Sequence, residues 1–303
     1  MFDIIKEKIR QYQANIYLNA IRLSYQQARL EKKKLSIEFG EISYLTSKGA
    51  TSSQLSGPVI LLLHGFGSEK DTWIQFAGLL DLPYPVIIPD LPGHGESSWD
   101  ADQDYSIHSQ AHRVYQMLTT LGIKSVHVVG HSMGGAIALR LAHLYPEMVR
   151  SLVLISAAGA EIQPGRVEAV VDSRELNPLI DVQNRDDFQR LLDICMSKPP
   201  YMPRMVFNLL ADKKIARFEI DKKIFGDMMA DLDQSAYLGQ LVLPVLILWG
   251  DGDQVLSVAD ADYLHEKLRG SERVILNGIG HVPMLEDPKQ SSRHVGQFLH
   301  LIQ

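Results

Sequence analysis

Val126-His127-Val128-Val129-Gly130-His131-Ser132-Met133-Gly134-Gly135 is the stretch that decides the architecture. A short β-branched run, Val126–Val129, meets a glycine-flanked serine, and a helical pattern over about Ala136–Leu144 follows at once. A serine at such a strand-to-helix turn is forced into a strained backbone. Its Oγ is raised above the sheet, and the flanking glycines remove side chains that would collide there. The helix N-terminus beneath favours negative charge on a substrate oxygen.

The same rhythm extends to both sides. Val59–Leu63, Val86–Ile88, Leu152–Ile155, Val245–Trp249 and Val274–Leu276 are continuous apolar runs. Helical patterns separate them, from about Thr72 and over about Ile107–Leu121, Val258–Leu268 and Pro288–Leu301. Such runs between helices predict an α/β fold: a mostly parallel sheet with helices on both faces. A strand pair turning near Gly40 is expected over Leu35–Ser47.

The alternation stops between about Gly159 and Leu241. That stretch is helical in pattern, carries Pro164, Pro178, Pro199, Pro200 and Pro203, and lies between two strands of the sheet. It must leave the sheet and return. Residues 160–241 therefore read as an inserted helical cap over the C-terminal edge, where open parallel sheets bind ligands. Residues 35–159 and 242–303 form the core.

A serine hydroxyl needs a base to take its proton. Of eleven histidines, His281 in Gly280-His281-Val282-Pro283 follows the last strand at the catalytic edge. His64, His94 and His131 also lie in strand-end loops. His131 is a poor base, because the turn points successive side chains apart. The base in turn needs a carboxylate to orient it. Asp251 and Asp253 both follow Trp249-Gly250, and spacing alone does not choose between them. The order Ser132, Asp253, His281 is nucleophile, acid, base, as expected on this type of sheet. Oxyanion donors are expected at the backbone N–H of Met133 and, in the loop His64-Gly65-Phe66-Gly67, at that of Phe66.

With these residues in place, the chain resembles the α/β-hydrolase family. The matching pieces are His64-Gly65-Phe66-Gly67, Asp90-Leu91-Pro92-Gly93-His94-Gly95-Glu96-Ser97, Gly130-His131-Ser132-Met133-Gly134-Gly135, Trp249-Gly250-Asp251-Gly252-Asp253 and Gly280-His281. The resemblance covers Leu35 to the C-terminus. The family pattern W-G-x-x-D implies that the acid is Asp253. A nucleophile of serine rather than aspartate counts against dehalogenase and epoxide-hydrolase chemistry. Carbon–carbon bond hydrolases and haloperoxidase-like members share the serine and stand as alternatives. A non-catalytic ligand receptor on the same fold is the alternative of another class.

A narrower set of matches is similar to the family's membrane-held monoacylglycerol lipases and to related bacterial lipases. These matches are Lys70-Asp71-Thr72-Trp73, Asp253-Gln254-Val255-Leu256 with Ala259-Asp260, Asn177-Pro178-Leu179 and Lys198-Pro199-Pro200. The resemblance implies a lipid-ester substrate and no metal or organic cofactor. Five of the ten methionines fall in the cap. Methionine adapts to flexible apolar ligands, so Met196, Met202, Met205 and Phe207 are expected to line an acyl-chain pocket.

Charge frames the rest. The chain of 303 residues has a net charge of −6 and one cysteine, Cys195. A general nucleic-acid binder, an intrachain disulfide and a thiolate metal cluster are excluded. The lone cysteine is expected as a small buried apolar residue. The first 34 residues, however, carry eight Lys or Arg against three Asp or Glu, so a +5 leader precedes a −11 body. Phe2, Ile5, Ile9, Tyr12, Ile16, Ala20 and Leu23 share an 80° sector of one amphipathic helix over residues 2–30. Between Tyr17 and Tyr25 apolar residues spread round the helix, which predicts burial on more than one side. Lys32, Lys33 and Lys34 are expected to close it.

Two roles suit the helix: packing on the body or in a dimer, and lying on an anionic membrane surface with Lys6, Lys8, Arg10, Arg22, Arg29 and the lysine cluster toward headgroups. Charges at the N-terminus interrupt any signal-peptide core. The expected location is cytoplasmic, peripheral at the inner membrane face. The family's eukaryotic members carry a transmembrane span where this chain has a charged helix, which counts against integral insertion.

Overall fold

The computed structural model describes residues 2–51, 55, 57–160 and 177–302, with the backbone alone for residues 2–10. The side chains of Phe2, Ile5, Lys6, Lys8, Ile9 and Arg10, and the cap's Pro164, lie outside the described residues.

Eight strands form one sheet: β1 (Leu30–Ile37), β2 (Gly40–Ser47), β3 (Val59–Leu63), β4 (Val86–Pro89), β5 (Val126–His131), β6 (Val149–Ile155), β7 (Val245–Gly250) and β8 (Glu272–Leu276). Their spatial order is β1-β2-β4-β3-β5-β6-β7-β8. β1 and β2 are an antiparallel hairpin in which Leu30 faces Ser47 and Ile37 faces Gly40. β2 runs antiparallel to β4, and every later pairing is parallel. The chain order reverses around β3, with β4 on one side and β5 on the other. That switch point opens a crevice beyond the strand ends, where the loops after β3 and β5 meet.

The unbroken apolar runs are explained by two cores. Side chains alternate along a strand. Val59, Leu61, Leu63, Val128, Leu152, Leu154, Ile247 and Trp249 face one layer, packed against α3 (Ile107–Thr120), α4 (Met133–Leu144) and α9 (Val258–Lys267). Ile60, Leu62, Val129, Val153, Ile155, Leu246 and Leu248 face the other. That layer is formed by α2 (Ile74–Leu79), the short α10 (Pro283–Glu286), α11 (Pro288–Leu301) and the end of α1 (Phe2–Gln27).

Two expectations about the leader need correction. Lys32, Lys33 and Lys34 do not close the helix. α1 ends at Gln27, Arg29 takes a left-handed φ of 55°, and the lysines belong to β1. There they pair with Glu96, Glu31 and Glu41. Two of these partners lie far off or across a hairpin, so the sequence showed a cationic run where the fold has an exposed paired edge.

The helix is also not buried on more than one side. Its packed face is Tyr17, Ile21, Ser24, Tyr25 and Ala28, whereas Tyr12, Ile16 and Leu23 of the expected stripe are 68%, 42% and 54% exposed. No helix among the described residues is long and apolar enough to cross a membrane.

Between β6 and β7 the insertion contributes α5 (Arg185–Cys195), α6 (Arg204–Ala216), α7 (Phe218–Met229) and the short α8 (Ser235–Leu238). Asn184 and Asp187 form a reciprocal capping box at the start of α5. Polar ties bind this layer to the core. Arg140 of α4 reaches Gln234 at 2.6 Å and Asp231 at 2.8 Å, and Asp231 also accepts the His108 amide.

Candidate active site

The loop between β5 and α4 holds Ser132 at φ 53° and ψ −120°, a left-handed conformation that a non-glycine residue adopts only under constraint. The constraint is visible. Ser132 N–H donates to Ile155 O at 3.1 Å, and Ser132 O accepts from Gly135 and Ala158. A Cβ at Gly130 would lie 2.3 Å from Gly134 O, and one at Gly134 2.3 Å from Leu63 O. Glycine is therefore required at both flanks, as the sequence pattern predicts.

Asp253 and His281 come together from the loops after β7 and β8. His281 Nδ1 lies 2.8 Å from Asp253 Oδ2, and both side chains are buried. The second oxygen, Asp253 Oδ1, accepts the amides of Val255 and Leu256 at 2.8 and 3.0 Å. These bonds fix the carboxylate plane. Asp251 is exposed, and its Oδ1 accepts the Gly278 amide instead. With Nδ1–H donated to the carboxylate, Nε2 of His281 carries the lone pair, the tautomer a general base requires.

Ser132, His281, His131, Gly65 and Phe66 line one cavity of about 300 Å³. Met133 is buried as the first residue of α4. First-turn amides have no acceptor within their own helix, so its N–H is available near the serine. Opposite it, the loop after β3 is set by His64. His64 Nε2 accepts the Leu91 amide at 3.0 Å and Nδ1 donates to Gly65 O at 2.8 Å. Burial holds this imidazole below its ordinary pKa, in keeping with the neutral tautomer those bonds need. The sequence placed His64 near the site but gave no hint of this anchoring, because its partner amide lies 27 residues away.

Just beyond, Lys70 is fully buried. Its Nζ lies 2.7 Å from Asp90 Oδ2 and 3.3 Å from Glu96 Oε2. Asp90 also accepts the amides of Lys70 and Glu96 at 2.8 Å each. A buried pair this well bonded locks the two loops in register, since breaking it would strand a charge.

The cap closes the cavity with Leu179, Phe188, Leu191, Leu192, Met196 and Leu210 among others. Of the four cap residues expected there, Met196 and Met202 line it. Phe207 instead packs edge-on against Phe188, 5.3 Å between ring centroids, within the cap's own small core. Met205, one residue into α6 and half-buried, is not among the lining residues either. Cys195 is half-buried and faces the cavity, and burial pushes its thiol up to about 12, leaving it unreactive. Among the described residues no three His, Cys, Asp or Glu side chains are placed to share a metal ion.

Residues 58–193 match the model of the alpha/beta hydrolase fold family. Lipase 1 of Psychrobacter immobilis is 33% identical over 286 residues, 92% of this chain and 84% of that protein.

The chain belongs to the α/β-hydrolase family.

Within it, the monoacylglycerol lipase abhd6-A of Xenopus laevis is 30% identical over 276 residues, 85% of this chain and 79% of that one. Among solved structures, a bacterial membrane phospholipase A superposes with a TM-score of 0.91 at 31% identity, covering 99% of this chain and 96% of its own. In this family, loops after the sheet strands carry the chemistry and the fold alone does not fix the reaction. The reading of this hydrolase's reaction therefore rests on the groups around its cavity.

Proposed function

We propose that this α/β hydrolase cleaves carboxylic esters of lipids through an acyl-enzyme. The observation that carries the reading is the shared cavity: a strained serine and an imidazole oriented by Asp253 face one apolar chamber. His281 Nε2 takes the proton of Ser132 as Oγ attacks the ester carbonyl. The N–H groups of Phe66 and Met133 receive the oxyanion. Collapse of the tetrahedral intermediate expels the alcohol, which leaves with the proton held by His281. Water then enters and attacks the acyl carbon as His281 takes one of its protons; the bond to Ser132 Oγ breaks, the carboxylic acid leaves, and His281 returns the proton to Oγ. Asp253 stays ionised and keeps the imidazole in one tautomer.

The acyl chain occupies the apolar part of the chamber, against Met196, Met202 and the leucines of α5 and α6. The names of the relatives, lipases and monoacylglycerol lipases, support a lipid ester as the substrate class. The exposed stripe of α1 supports a peripheral position on an anionic membrane, where Arg22 and the lysines and arginine upstream would meet headgroups.

The test is covalent. A fluorophosphonate probe should label the native protein and leave Ser132→Ala unlabelled. Labelling that survives in Ser132→Ala would remove the serine-hydrolase reading, and a panel of short esters, mono-, di- and triacylglycerols assigns the substrate.

A further inference from the structure

The peptide of His281 is held from two directions. Its N–H donates to Cys195 O at 2.8 Å, at the end of cap helix α5. Its C=O accepts from His131 Nε2 at 2.7 Å. The amides on either side go to a single carboxylate: Gly280 N–H donates to Glu286 Oε2 at 2.9 Å and Val282 N–H to Glu286 Oε1 at 3.1 Å. Glu286 Oε2 also accepts the amide of Lys198, 88 residues away in the cap, at 2.8 Å. Next to it, Ser197 Oγ donates to Gly252 O at 3.3 Å, beside the catalytic acid. The approach is close enough to forbid any side chain at Gly280, whose Cβ would lie 2.7 Å from Ser197 N.

We propose that Glu286 is a positioning residue that couples the cap to the catalytic base, by tying the amides flanking His281 and the amide of Lys198 to one carboxylate. Three amide donors on one anion are charge-assisted bonds and stronger than neutral ones. They define the backbone from which the imidazole reaches toward Ser132. The cap segment after α5 is thereby part of the base's mounting. A cap displaced at Cys195–Lys198 would release His281 N–H and one amide held by Glu286 together. The imidazole would then lose its alignment, so hydrolysis is confined to the closed arrangement. The inference rests on His281 being the base.

Glu286→Gln keeps one carbonyl oxygen but turns an amide NH₂ toward an amide donor. Glu286→Ala removes both acceptor oxygens and with them all three amide bonds. Misplacing a catalytic group by about 1 Å costs on the order of 10²-fold. The expected result is therefore kcat lower by roughly 10-fold in the first and roughly 10²-fold in the second. KM should stay within about twofold for a short soluble ester, and the ascending limb of the pH–kcat profile should shift. Rates are referred to active sites titrated by phosphonate, which removes any contribution from unfolded protein. A purely structural residue would lower Tm and leave titrated kcat and the pH limb in place, and that outcome overturns the proposal.

Amide hydrogen exchange on the wild-type enzyme decides the cap link even if neither variant folds. The amides of Lys198, Gly280 and Val282 should be protected together. A freely exchanging Lys198 amide beside two slow ones would also overturn it. The base assignment fails separately, through undiminished phosphonate labelling in His281→Ala.

Discussion

Asp253 Oδ2 stands 2.8 Å from His281 Nδ1, while its Oδ1 is held by two backbone amides two and three residues on. Asp251, two residues before it in a sequence that offers both, is exposed, and its Oδ1 accepts the Gly278 amide after β8. Only the first arrangement can fix an imidazole tautomer. Asp253→Asn should lower kcat by about 10³–10⁴-fold with the protein folded. Asp251→Asn should stay within about twofold of wild type, as exposed substitutions generally do. Steady-state rates on a soluble ester measure both, and equal losses in the two variants would remove the assignment.

A pH-sensitive contact lies behind the loop after β3. Asp71 accepts the Tyr25 hydroxyl at 2.6 Å, tying α1 to the turn that follows that loop. Burial, reinforced by Glu69 and Asp90 and opposed by Lys70 and the Tyr25 bond, raises its carboxyl to about 6. The folded pKa is above the unfolded value of about 3.9, so the native state binds this proton more tightly. Its contribution to stability is full below about pH 4 and is lost as pH rises through about 6. Asp71→Asn mimics the protonated group and keeps an acceptor for Tyr25. It should raise Tm by a few degrees at pH 8 and leave Tm unchanged near pH 4. Glu96, where burial pushes up but the Lys32 and Lys70 partners prevail and hold the carboxyl down to about 2, acts in the opposite sense and at lower pH. Equal Tm shifts at both pH values would sink the account.

The positions of Ser132, Asp253, His281 and the loop after β3 were legible because each sits where a strand ends, and strand ends are written as apolar runs followed by glycine. The helices between β6 and β7 were legible as an interruption of that rhythm. What could not be read were bonds that backbone groups make across long stretches of chain. Glu286 looks like an ordinary helical residue in Met284-Leu285-Glu286, yet its partners include an amide 88 residues earlier. Phe207 and Leu210 are equally apolar neighbours on α6. Both pack against the cap's small core around Phe188, and of the two Leu210 also lines the cavity. In α1 two apolar sectors compete, and the one through Tyr17, Ile21 and Tyr25 takes the body of the protein, where Tyr25 finds Asp71.

That choice leaves Tyr12, Ile16 and Leu23 outward, with Arg22 exposed on the same helix. A bilayer surface offers such a stripe burial that water does not, at about 1.5–3 kcal/mol for each large side chain fully transferred. Replacing the three together by Ser, Asn and Asn should weaken co-sedimentation with anionic liposomes by at least about 10-fold. Turnover of a soluble ester and Tm should be unaffected, since none of the three packs on the body. Added salt should weaken wild-type binding as well. Unchanged liposome binding by the triple variant would reject a membrane role for this face.

The chamber itself sets an expectation for chain length. About 300 Å³ with Leu179, Phe188, Leu191, Leu192, Met196 and Leu210 along one side, and Lys213, Lys214 and Arg217 among its other lining residues, has room for an extended acyl chain on the apolar side. Each methylene buried there adds up to about 0.8 kcal/mol, of which a part appears in the transition state. Values of kcat/KM for p-nitrophenyl esters should therefore climb by about two- to fourfold per methylene from acetate until the chamber is filled, and then level. Leu191→Trp places a larger ring on the α5 wall. It should bring that plateau to shorter chains while leaving the acetate rate within about twofold, because acetate does not reach the wall. An acetate ester hydrolysed far faster than octanoate, or a Leu191→Trp profile superimposable on wild type, would show that acyl chains do not occupy this chamber.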